Sequence, residues 1–227
     1  IVSKRPSITL LTTGDEAIPV NSTPQPWQIR RSNGPMLEAM LRGLGIADVT
    51  SHHVVDDEDL LGEAIDAALS KSDLILLCGG ISKGKRDHVR SVLEVRLGPP
   101  AFHGVRQRPG KPLAFWSGPP LVFALPGNPV SVLATFCHYV LPAISRMQGS
   151  EPTPRLALTL SSPLDPHPTL TWLLPCRINA RGEAIPLPPQ NSGDFVSVVG
   201  ATHLLEIPPG RATLQAGTPV LASSFRI

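Results

Sequence analysis

Carboxylates, basic residues and glycines recur in loops, and the glycine-rich ones suit one task, holding a small anion. Thr13 and Gly14 lead into Asp15 and Glu16, and Asp56 sits in VVDD. Asp87 closes GGISKGKRD, which also contains Gly79, Gly80, Ser82 and Gly84. Arg108, Pro109, Gly110, Lys111 and Pro112 form RPGKP, and Asn128 lies in LPGNPVS. A Gly/Ser-rich turn between a strand and a helix aims backbone N–H groups at one point, and the helix N-terminus adds positive potential there. Arg108 and Lys111 suit phosphate or other oxyanions. Each motif by itself also fits an ordinary turn or a helix cap. Their joint placement at the ends of elements argues for a site.

The elements that must position them follow from periodicity. SITLLTT, ADVTSHHVV and DLILLC are apolar, β-prone runs, and they alternate with helical patterns at GPMLEAMLRGLG and DEDLLGEAIDAALSKS. DHVRSVLEVRLG predicts a further helix, PLAFWS and LVFALP two further strands, and NPVSVLATFCHYVLPAISRM a long apolar helix. Such alternation predicts a mostly parallel sheet flanked by helices, an α/β domain over residues 1–149. In that architecture ligands bind beyond the carboxyl ends of the strands, and the polar motifs fall at those ends. After the Pro- and Gly-rich stretch MQGSEPTPRL the pattern changes. RLALTL, LTWLLPCRI, VSVVG, HLLEIP and TPVLASS are expected as short strands of a small all-β barrel or sandwich domain over residues 150–227.

The 227 residues, 41% hydrophobic and 17% charged, are enough for one or two domains with real cores. A net charge of +2, with no basic cluster longer than KGKR, speaks against nucleic acid as a partner. Cys78, Cys137 and Cys176 are widely spaced in apolar contexts and read as buried, reduced thiols of a cytoplasmic protein. The seven histidines include the pair His52 and His53, but no spacing that would close a zinc site. No run approaches the length of a membrane span, and the first residues lack the apolar core of a signal peptide. No membrane partner is expected. Because a core-like strand begins almost at once, the chain is expected to be a fragment.

In this order, TTGDE, VVDD, GGISKGKRD, RPGKP and LPGNPVS resemble the MoeA/gephyrin E-domain family, the molybdopterin molybdenumtransferases. The resemblance covers nearly the whole chain. It implies a MogA-like molybdopterin-binding domain up to about Gly149 and the family's C-terminal β-barrel domain over Glu151 to Ile227. It also implies insertion of molybdate into the dithiolene of adenylylated molybdopterin, with Mg²⁺ assistance and release of AMP. On that basis Glu16, Asp56 and Asp87 match the family's functional acids and Mg²⁺ ligands. Thr13, Gly14, Asp15, Gly79, Gly80, Ser82, Gly84, Arg108, Pro109, Gly110, Lys111, Pro112 and Asn128 become binding residues, and Ser192, in an NSG that is similar to the family's GSG, joins them. The family carries two further domains ahead of this stretch, which complete the active site partly across a homodimer. Molybdopterin adenylyltransferase is then the partner in the pathway. The chain alone is expected to bind the adenylylated pterin and to turn it over poorly.

Two departures from the family pattern stand out. Arg108 replaces a usual lysine, and HPTLTWLL lacks an arginine often found there, with Arg177 coming only later. Three other readings are open: a molybdopterin adenylyltransferase, which lacks the β-domain; a non-enzymatic scaffold or pterin-binding fragment; and a degenerate nucleotide-binding module of the competence-damage type.

Overall fold

The computed structural model describes residues 3–81, 88–190 and 194–225. In chain order the elements are β1 (Ile8–Thr13), β2 (Ala17–Ile18), β3 (Ile29–Arg30), α1 (Asn33–Gly43), β4 (Val49–Val54), α2 (Glu58–Leu69), β5 (Leu74–Cys78) and α3 (His88–Leu97). There follow β6 (Phe102–His103), β7 (Gln107–Arg108), β8 (Ala114–Trp116), β9 (Leu121–Leu125) and the helix α4 (Pro129–Met147). The last part holds β10 (Leu156–Leu160), β11 (Thr171–Ile178), β12 (Glu183–Pro186), β13 (His203–Ile207) and β14 (Pro219–Ser224).

By contacts the chain forms two compact units, Ile1–Gly104 with Pro112–Gly127, and Val105–Lys111 with Asn128–Ile227. The boundary expected near Gly149 marks a change of element type, whereas these units follow packing. Two pieces make the difference. β7 hydrogen-bonds to β11, and Ala134 of α4 packs with Leu173 and Leu204 of the β-rich part.

The first unit is built on a six-stranded sheet in the order β4-β1-β5-β9-β8-β6. Its first four strands are parallel, and β8 and β6 run antiparallel at one edge. Leu74, Ile75, Leu76, Leu77 and Cys78 are all buried. A central strand covered on both faces requires such a continuous apolar run. The pleat sends Leu11, Ile75, Leu77, Val122 and Ala124 to one face, where Leu61, Ile65 and Ala68 of α2 and Val89, Val92 and Leu93 of α3 meet them. α2 begins cleanly because Asp57, its N-cap, accepts a hydrogen bond from the Leu60 N–H at 2.9 Å, with Glu58 and Asp59 in the first turn facing the positive end of the helix dipole.

The second unit closes β10, β14, β13, β11 and β12 into a five-stranded ring, since β12 pairs with both β10 and β11; β7 adds alongside the start of β11. Leu160, Leu174, Leu205, Ile207 and Val220 fill it. The segment VSVVG, expected as a strand, is instead a 3₁₀ turn at Val196–Val198. Its valines have β-type composition, but Val198 is buried at 6% exposure while Val196, two residues before it, and Val199 are 80% and 77% exposed, so no alternating buried face forms. The helix α4 also departs from the sequence reading. At 19 residues it is long and apolar enough to cross a membrane, yet more than half of it is buried inside the protein, as in a core helix. Its middle turn, Phe136–Val140, is π-helical.

Candidate functional site

In the first unit, the carboxyl ends of β1, β4, β5 and β9 bring several of the expected residues together. β1 ends at Thr13, and the chain turns at Gly14, whose φ of +129° favours glycine. A side chain there would also meet the Glu16 carboxylate, 2.8 Å from the position of a Cβ. β5 is followed by Gly79 (φ +101°), where a Cβ would lie 2.8 Å from Thr13 Oγ1 and 3.2 Å from its carbonyl oxygen. Gly80 is equally enclosed, with Val89 Cγ2 only 2.5 Å from a Cβ position. Gly127, after β9, approaches the Gly79 Cα to 3.7 Å in the same sense, and its carbonyl accepts a hydrogen bond from Asn33 Nδ2 at 2.6 Å. Gly79 and Gly80 are therefore required for the close packing of the end of β5 against Thr13 of β1 and Val89 of α3, whereas the contact at Gly127 is an ordinary one.

β4 contributes His53 and Asp56. His53 Nε2 lies 3.0 Å from the Gly14 carbonyl, which can only accept, so Nε2 carries the proton. Nδ1 then accepts from the Thr12 hydroxyl at 2.8 Å. Burial and the positive charge of Arg31 push the imidazole below its usual value, against the Gly14 hydrogen bond and the negative charges of Asp56 and Glu16. His53 is accordingly a neutral strut between two strand ends, and it feels both acids. The Asp15 carboxylate accepts the Asp56 N–H at 3.0 Å, joining the two acidic loops. Since Asp57 caps α2, Asp56 is released from the capping role that VVDD also suggested. Among the described residues no group of three or more His, Cys, Asp and Glu side chains is arranged to hold a metal ion. Glu16 and Asp56 are hard oxygen donors at neighbouring strand ends, which suits an ion that takes one or two carboxylates.

The RPGKP turn belongs to the second unit up to Lys111. Residues 105–111 form a loop closed by the Val105 N–H donating to the Lys111 carbonyl at 2.8 Å. Gln107, only 3% exposed, anchors it. Its Nε2 donates to the Pro109 carbonyl at 3.0 Å, and its Oε1 accepts from the Tyr139 hydroxyl on the π-helical turn. Gly110 (φ +93°) lies against Thr135, whose Cγ2 would be 2.5 Å from a Cβ. Arg108 stands over the Trp172 ring. Pro112 starts the second stretch of the first unit. Asn128 occupies the N-cap position of α4, its carbonyl accepting the Val132 N–H at 2.9 Å.

Ser82, Gly84, Asp87 and Ser192 lie outside the described residues. The sequence reading missed His53, Arg31, Asn33, Gln107 and Tyr139. The His52–His53 pair was the one visible signal, weighed there only as a zinc ligand. Cys78 ends β5 beside Gly79, but burial pushes its thiol up to about 12, which leaves it unreactive.

Two family models match the chain. The one described as "Probable molybdopterin binding domain" covers residues 9–146, and the one described as "MoeA C-terminal region (domain IV)" covers residues 157–225. A curated "Molybdopterin molybdenumtransferase" from Synechocystis sp. is 33% identical over 224 residues, 95% of this chain and 55% of that protein. One from Synechococcus elongatus is 35% identical over 229 residues, 98% of this chain and 56% of that protein. The crystal structure of a molybdopterin biosynthesis MoeA protein from a Pyrococcus species superposes with a TM-score of 0.83 at 28% identity, covering 97% of this chain and 55% of the other. The chain spans about half the length of the curated relatives it matches. It belongs to the molybdopterin-binding domain family, and it carries the MoeA C-terminal region behind that domain.

Proposed function

We propose that this chain is the substrate-holding portion of a molybdopterin molybdenumtransferase, working in molybdenum cofactor biosynthesis. The observation that carries the reading is the meeting of the glycine turns at Gly14, Gly79 and Gly80 at the strand ends of the first unit, since backbone N–H groups in such turns suit a pyrophosphate. In this reading these turns take adenylylated molybdopterin, with Thr13 and the backbone of Gly79 and Gly80 contacting it. In the second unit, Arg108 and Lys111 by themselves offer positive charge of the kind that suits an oxyanion. A magnesium ion, held by Glu16 and Asp56 with Asp87, would neutralise charge on the anhydride when bound. His53 holds the turn at Gly14, and so the approach of Glu16, through its two hydrogen bonds. In this reading molybdate exchanges one oxygen for the two dithiolene sulfurs, the oxygen leaving as water with the two thiol protons, and a second water cleaves the phosphoanhydride so that AMP leaves.

The relatives' remaining length is assigned the closure that keeps molybdate, anhydride and water aligned. The test is to titrate adenylylated molybdopterin into this chain by calorimetry and then to measure AMP release with Mg²⁺ and molybdate. The expected result is measurable binding with slow turnover, which a full-length relative surpasses. Failure of the chain to bind the adenylylated pterin would overturn the reading.

A further inference from the structure

Arg108 is exposed, and what its guanidinium touches among the described residues is an aromatic face. β7 and β11 run parallel with Arg108 opposite Trp172, and Arg108 Cζ lies 4.9 Å from the indole centroid, inside the range of a cation–π contact. The ring is itself held in place, since Trp172 packs against the barrel core of Leu174, Leu205 and Ile207. The backbone beside it is tied as well, with the Thr171 N–H donating to the Arg106 carbonyl at 3.0 Å. The same closed loop carries Lys111.

A free arginine samples many rotamers, and ordering it on a ligand costs affinity. A guanidinium held against an indole has lost that freedom already. Its two parallel N–H groups lie in its own plane and match two oxygens of one tetrahedral oxyanion. A lysine offers a point charge and cannot present such a fork.

We propose that Trp172 is a positioning residue that pre-orients Arg108 as a bidentate receptor for a tetrahedral oxyanion, either a phosphate group or molybdate. The assignment deepens the reading of this chain as a holder of adenylylated molybdopterin and rests on it for the biological ligand.

The test is a double-mutant cycle on this chain, with inorganic pyrophosphate and molybdate titrated separately by calorimetry and by tryptophan emission. Trp172→Leu is expected to weaken binding of at least one probe about two- to five-fold, the span of an exposed cation–π contact. Trp172→Phe should lose less. In an Arg108→Gln background, Trp172→Leu should have no further effect, because its action passes through the guanidinium. A saturable change in emission should accompany binding and vanish in Arg108→Gln. The probe that shows the coupling identifies the oxyanion. Equal losses from Trp172→Leu in both backgrounds would overturn the proposal, as would unchanged binding in Arg108→Gln or no binding of either probe by the parent chain. Should Trp172→Leu not fold, Trp172→Phe carries the cycle. Adenylylated molybdopterin forms a separate arm. If the parent chain binds pyrophosphate through the coupled pair but does not bind the adenylylated pterin, the functional reading falls and this inference stands. If the pterin binds equally to the parent chain and to both single variants, the inference falls and the functional reading stands.

Discussion

His53 Nε2 donates to the carbonyl of Gly14 at 3.0 Å, across 39 residues of chain, and its Nδ1 accepts from Thr12 at 2.8 Å. One neutral ring thus ties the end of β4 to the turn that carries Asp15 and Glu16. His53→Phe keeps the size of the ring but leaves the Thr12 hydroxyl and the Gly14 carbonyl without these partners, which should cost about 1–3 kcal/mol. Binding of adenylylated molybdopterin should weaken with it. Urea unfolding monitored by circular dichroism, alongside calorimetric binding, checks both; unchanged values in the variant would remove the strut.

The same ring should make stability depend on pH. Its folded value is lowered from an ordinary 6.5, chiefly by burial, so the unfolded chain binds the proton more readily. The contribution is then fully present above about pH 6.5 and is lost as the pH falls toward the lower folded value. His138 is lowered too, again mainly by burial, so a variant in which His53 is replaced should retain part of this dependence. Thermal midpoints measured from pH 7.5 downward should fall more steeply for the parent chain than for a His53→Gln variant.

Gly79→Ala places a methyl group 2.8 Å from Thr13 Oγ1 at a φ of +101°. The expected destabilisation is about 1–3 kcal/mol, with the turn crowded where the pterin phosphates are proposed to lie. Gly98 has a φ of +74° and nothing within 4 Å of its Cβ position, so Gly98→Ala should show backbone strain alone and leave ligand binding intact. Equal losses of stability in the two variants would mean that the close approach of β1 and β5 does not matter.

Asp56 and Asp57 are neighbours with separable roles. Asp57→Ala removes the N-cap of α2 and should cost about 0.5–2 kcal/mol of stability. Asp56→Asn should change stability less, and in a full-length enzyme carrying this stretch it should reduce Mg²⁺-supported AMP release. A pattern of losses reversed between the two variants would reassign the cap and the site.

Tyr139→Phe leaves Gln107 Oε1 buried without this donor and should destabilise the second unit by about 1–3 kcal/mol. Combining it with Gln107→Met should restore part of that loss, because both ends of the bond become apolar. Oxyanion binding at the 105–111 loop should not recover, since the Pro109 carbonyl has lost its donor. Calorimetric unfolding and pyrophosphate titration of the two variants distinguish the two effects.

Much of the molecule was legible in the residues themselves. The unbroken burial of Leu74–Cys78 follows from five consecutive apolar residues, and the alternation of β-prone and helical runs dictated a mostly parallel sheet with helices on its faces. Glycines at 79, 80 and 110 signalled turns because only they reach those backbone angles cheaply. Both local periodicity and turn chemistry act over a few residues, so one sequence carries them openly. Partners far apart in the chain were decided by tertiary structure alone. Val105–Lys111 joins the β-rich unit because β7 finds β11, and nothing in RPGKP announces a strand partner more than sixty residues away. Val196–Val198 has the composition of a strand but forms a 3₁₀ turn, because Val196 is exposed while Val198, which would share its face in a strand, is buried. His53 became a strut only because parallel pairing of β1 with β4 sets Thr12 opposite it. Arg108 and the WLL stretch, each a departure from the family pattern when read along the chain, turn out to be cross-strand neighbours. Register joins them, and register is a property of the packed sheet rather than of either segment.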